Sequence, residues 1–122
     1  MARYEAHLDC PELTLADAQT LVEKLGLELH VAISWLDRRN ASMALVLPPQ
    51  GLGVQLLLEF QKHGVITVLV NSREGMGHGA PQTHHCFEHL LRLLGLEAPS
   101  AQLLYRSDRD GPIRQAPAQA NR

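Results

Sequence analysis

Cysteine is scarce: Cys10 and Cys86 are the only two, they lie far apart, and neither belongs to a C-x-x-C. A disulfide-stapled secreted domain is thereby excluded, and a reducing compartment is expected. Lysine is equally rare, at Lys24 and Lys62, and the formal net charge is -2 with no basic stripe. Nucleic-acid binders carry the opposite balance, because phosphate neutralisation dominates their affinity. Aromatic residues make up 4% of the chain. That is too few for the base-stacking platform of an RNA-recognition module. No stretch approaches the roughly 20 apolar residues of a bilayer-spanning helix, and residues 1–10 hold no signal-peptide core. The expectation is a cytoplasmic protein with neither a nucleic-acid nor a membrane partner.

What is present is enough for one core. The chain has 122 residues, 45% apolar and 20% charged, a size and balance that suit a single self-supporting domain. Residues 3–10 alternate, with Tyr4, Ala6, Leu8 and Cys10 on one side and Arg3, Glu5, His7 and Asp9 on the other, which predicts a half-buried strand. Thr14 and Asp17 form a capping-box pattern before Leu15, Ala18, Leu21, Val22 and Leu25, so a helix is expected over 14–25, closed by Gly26. Residues 28–36 and 41–47 alternate around the polar turn Asp37–Asn40 and read as a hairpin.

Over 51–63, Leu52, Leu56, Leu57 and Phe60 fit a helical stripe, and a helix is expected in preference to a strand. Residues 65–70 (VITVLV) are β-branched and read as a strand. A glycine-rich loop over 71–79 leads to Pro81 at the first turn of a helix ending near Leu94 and Gly95. A short strand is expected near 102–106. The predicted fold is α+β, a ferredoxin-like split βαβ (β-α-β-β-α-β) with an additional C-terminal helix. The domain is expected to span 1–106, followed by a flexible tail over 107–122, which is polar and rich in Pro, Ala and Gln.

Histidine is unusually frequent for a chain of this length: there are seven, and His78, His84, His85 and His89 fall close together. Residues 85–89 match H-x-x-E-H, in which two histidines one helical turn apart bind zinc and the glutamate is a base. His85, His89, Glu88, His84 and His78 are therefore the candidate ligands for zinc or another divalent transition metal. The helical wheel sets His85, His89 and Arg92 almost opposite the stripe Phe87, Leu90, Leu91 and Leu94. That placement favours a solvated face with a Glu88–Arg92 pair and no cofactor. Residues 83–88 loosely resemble the H-H-x-x-E signature of imidazoleglycerol-phosphate dehydratases, a resemblance that implies metal ligation. Gln55 stands where that family's upstream ligand histidine belongs, and His89 where an aspartate follows the glutamate, so membership is not inferred.

Gly77, Gly79 and Arg73 precede a helix N-terminus and form a candidate anion site. Arg3, Glu5, His7 and His30 on the outer sheet face, Arg38 and Arg39 in the hairpin turn, and Arg92 on the helix are the candidate partner contacts. The reading that follows is a small, non-catalytic regulatory module that binds another protein, or itself as a homodimer. A metal-binding protein or metal-dependent enzyme is the alternative.

Overall fold

The computed structural model describes residues 1–111. In chain order it contains β1 (Ala2–Asp9), α1 (Leu15–Leu29), β2 (Ile33–Trp35), β3 (Asn40–Leu47), β4 (Leu52–Phe60), β5 (Val65–Ser72), α2 (Pro81–Glu97), β6 (Gln102–Arg106) and α3 (Ser107–Asp110). The strands make one antiparallel sheet in the order β2-β3-β4-β5-β1-β6. The α+β class stands. The ferredoxin-like order does not, because the sheet has six strands.

The sixth strand comes from residues 51–63, expected as a helix. Val54, Leu56, Leu58 and Phe60 are buried while Gly53, Gln55 and Glu59 are exposed, a period of two. The run Leu56-Leu57-Leu58 hid that period, because Leu57 carries an apolar side chain onto the outer face. Pairing along both edges, with β3 and β5, outweighs the helix propensity of Gln, Leu and Glu.

α1 begins as expected. Thr14 Oγ1 accepts from the Asp17 N–H at 3.0 Å, and Asp17 accepts from the Thr14 N–H at 3.3 Å. It does not stop at Gly26. The helix runs on to Leu29 and closes on His30, which adopts the left-handed conformation (φ 57°). Gly26 is instead a packing glycine: a Cβ there would lie 2.8 Å from Ile33 Cδ1. The strand expected over 28–36 is accordingly cut to β2, and His30 sits at a helix end rather than on the sheet face.

Inward side chains of β1, β3, β4 and β5 meet Ala18, Leu21, Val22 and Leu25 of α1 and Phe87, Leu90, Leu93 and Leu94 of α2. Each fully buried Val, Leu or Phe side chain among these contributes about 1.5–3 kcal/mol of transfer free energy. Both long helices therefore lie on one face of the sheet. α2 connects β5 to β6, which flank β1. It passes through Gly95 to Glu97. The expected flexible tail begins with α3, which is fixed to β1 by the Glu5 N–H donating to Ser107 Oγ at 3.0 Å. Residues 112–122 of that tail lie outside the described residues. Among the described residues, no helix is long and apolar enough to cross a membrane.

Candidate functional site

Two groups of polar side chains lie on the helical side. The first is centred on Arg106, at the end of β6. Its Nε donates to Asp108 Oδ1 at 2.9 Å, and its Nη2 donates to Asp108 Oδ2 at 2.7 Å and also to Glu88. The guanidinium lies 5.2 Å from the Phe87 ring centroid. His84 Nε2 reaches Asp108 Oδ2 at 2.7 Å. The Arg106 hydrogen bonds hold the Asp108 carboxyl below its usual range against the opposing effect of burial, and His84 adds to the lowering.

His84, Glu88 and Asp108 each offer a ligand atom, all within 4.8 Å of one another. These are metal-type donors, and Arg106 already supplies the positive charge among them. Of the expected ligands, only His84 and Glu88 come together here; Asp108 was not foreseen, because it enters from α3. His85 is exposed, and His78 is exposed in the loop turn Met76–His78. His89 Nδ1 accepts from Arg92 at 2.7 Å, which engages one lone pair. Glu88 pairs with Arg106, so the expected Glu88–Arg92 contact is replaced on both sides.

The second group is at the start of α2. The N-cap position, Ala80, is left-handed (φ 46°) and offers no side-chain acceptor. Glu74 acts in its place. Its carboxylate accepts from the N–H groups of Gln82 (3.1 Å) and Thr83 (2.8 Å) and from Thr83 Oγ1 (2.7 Å). Burial pushes its pKa up, but the Thr83 and Gln82 hydrogen bonds outweigh that and hold it below the usual carboxylate range. An internal carboxylate therefore occupies the anion position of this helix N-terminus. Arg73, Gly77 and Gly79 are exposed beside it, and the Gly79 carbonyl accepts from the Tyr4 hydroxyl. Among the described residues, no buried side-chain nitrogen or oxygen lacks a partner.

Among the described residues, the other side of the sheet carries no helix. On β1 the outer residues are Arg3, Glu5, His7 and Asp9, with Arg3 to Glu5 at 3.2 Å and His7 to Glu5 at 2.6 Å. The Tyr105 ring of β6 lies 5.1 Å from the His7 ring. Toward β3 the character changes. Leu57 is opposite Leu69, Gln55 opposite Asn71, and Val46 opposite Gly53. Val46 is 72% exposed. No Asp, Glu, Lys, Arg or His occurs between Arg39 and Glu59, so β3, its turn and most of β4 are uncharged. Composition totals concealed this gap; a scan of charge along the chain would have found it.

Arg38 is exposed at the hairpin turn, whereas Arg39 is half-buried and donates to the Phe60 carbonyl at 3.2 Å. His30 is the C-cap of α1 and belongs to no strand. The chain matches no protein-family model and no curated protein.

Proposed function

We propose that this chain is a small, non-catalytic binding module that acts by protein–protein contact through the helix-free face of its sheet. It would serve as an accessory subunit, an inhibitor or an immunity-type protein. The observation that carries this reading is the one-sided placement of α1 and α2, which leaves Val46, Leu57 and Leu69 on an open, partly apolar face. The helical side supports it in another way. Its two polar groups, around Arg106 and around Glu74, are satisfied by hydrogen bonds within the fold, as structural networks are, and among the described residues no buried side-chain nitrogen or oxygen lacks a partner.

The test compares proteins captured in the source cells by the wild type, by Gln55→Arg/Asn71→Arg on the open face, and by Gln19→Arg/Glu23→Arg on α1. A partner kept by the wild type and the α1 variant, and lost by the sheet variant, is the expected result. Capture that is indifferent to the sheet variant would overturn the reading.

A metal-dependent role comes second. Its support is the His84, Glu88 and Asp108 donor set, and a metal would first have to displace Arg106.

A further inference from the structure

We infer that the open edge of β3 is a self-association site, at which Ala44–Leu47 pairs antiparallel with the same segment of a second copy of this chain. The inference rests on the protein-contact reading above and names the partner. β2 pairs with β3 only at Ala41, Ser42 and Met43. Before Ile33 the chain turns away toward α1, where the Val31 N–H donates to the Gly26 carbonyl at 3.0 Å. From Ala44 to Leu47 the outer edge of β3 therefore has no neighbouring strand among the described residues.

Natural edge strands are blunted by lysine, inward charge, proline or a covering element. This edge has none of these along its free length: it reads Ala-Leu-Val-Leu, with Ala44 and Val46 exposed and Leu45 and Leu47 half-buried. It is nevertheless bounded. Pro48 and Pro49 follow and cannot donate to a ladder, and β2 blocks the other end. A bounded edge closes on one partner rather than adding strands indefinitely.

Charge selects the occupant. In a two-fold contact each residue meets its own copy or a near neighbour, so any charged side chain close to the axis faces its like. The stretch between Arg39 and Glu59 contains no such side chain. A different protein would normally be registered and steered by complementary charge, and the free segment Ala44–Leu47 itself carries none. Residues opposed across an antiparallel pair share a sheet face, so the axis must lie between a residue and its own copy. Placing it at Leu45 or at Val46 keeps the opposed pairs within Ala44–Leu47, with Leu against Leu on one face and Ala or Val on the other.

The purified full chain is examined by sedimentation velocity from micromolar to millimolar concentration. The wild type is expected to show a monomer–dimer equilibrium. Val46→Lys should weaken dimerisation roughly tenfold or more, since like charges are then apposed. Leu104→Lys, on the opposite edge of the sheet and 54% exposed, should leave the dimer intact. Mixing Val46→Lys with Val46→Asp should restore association as a heterodimer. Thermal melts confirm that each variant folds, and Ala44→Lys replaces Val46→Lys if that variant does not. A wild type that stays monomeric throughout overturns the inference, as does a dimer indifferent to both lysines. If the chain is monomeric while Gln55→Arg/Asn71→Arg still loses a cellular partner, self-association falls and the protein-contact reading stands. If neither effect is seen, both fall.

Discussion

Replacing Arg106 by methionine tests whether a guanidinium stands where a metal would otherwise bind. The wild-type side chain makes two hydrogen bonds to Asp108, at 2.9 and 2.7 Å, and one to Glu88. Hydrogen bonds to charged groups contribute about 1.5–3 kcal/mol. Glu88 is 47% exposed, so water screens its share and Asp108 carries most of the effect. Methionine keeps the apolar contact with the Phe87 ring. The expected loss is about 2 kcal/mol, and at roughly 3–6 °C per kcal/mol for a domain of this size the melting temperature falls by about 6–12 °C. The variant leaves Glu88 and Asp108 without their shared cation, beside His84. Zinc should then bind, and at a hundred times its Kd it should return about 2.7 kcal/mol by mass action. Thermal melts with zinc and with chelator, together with titration calorimetry, read both effects. The wild type should be indifferent to either addition. Zinc stabilisation of the wild type would refute the assignment of Arg106 as the resident cation and bring the metal reading forward. A variant that gains nothing from zinc would refute the claim that these donors converge usefully.

The remaining predictions concern the rest of the fold. Gly64 has φ +83°, and a Cβ there would meet the Cys10 carbonyl oxygen at 2.4 Å and Pro11 Cα at 2.6 Å. Gly64→Ala should cost about 3 kcal/mol or more, against about 1 kcal/mol for Gly79→Ala, whose φ is also positive but whose Cβ meets nothing. Urea midpoints at unchanged m would measure the difference, and equal shifts would contradict it. Asp108 is lowered chiefly by Arg106, and Asp110 is lowered to about 2, first by Arg109 and then by the Arg106 amide. Depressed carboxyls stabilise the fold above their unfolded pKa of about 4 and lose that effect as pH falls through the folded value. Melting temperature should therefore drop between pH 4 and about 2, and Asp108→Asn should flatten that limb; an unchanged slope would count against it. Burial pushes the Cys86 thiol pKa up, with Glu74 adding to the rise. Cys86 should thus resist thiol reagents at neutral pH and react fully in denaturant, and rapid labelling of the folded protein would contradict its placement.

Much of the architecture was legible because single residues act locally. Thr14 with Asp17, Pro81, and the alternation of residues 3–10 each name one element, and each element is there. The failures share a cause: the deciding partner was remote in sequence. Gly26 looked like a helix terminus because its reason for being glycine, the approach of Ile33, lies across a turn. Residues 52–60 looked helical because their partners on β3 and β5 were unknown. The histidine cluster was read along one helix, whereas the contacts that define its chemistry, Arg106 and Asp108, arrive from β6 and α3. Glu74 capping α2 from the preceding loop is the same kind of event.

The two faces of the sheet differ in how their polar groups are satisfied. On the helical side, His84, Glu88, Arg106 and Asp108 engage one another and Glu74 caps α2, so a ligand arriving there must break charge-assisted bonds before it makes its own. On the open side toward β3, residues 40–58 carry no charge to displace, and burying Val46 or Leu57 removes only apolar surface from water. Association is therefore cheapest at the uncharged edge and face. It should also depend little on salt, in contrast to any contact made through Arg3, Glu5 or Arg38. Dimerisation of the wild type that weakened steeply with added sodium chloride would place the contact on those charged residues and not on β3.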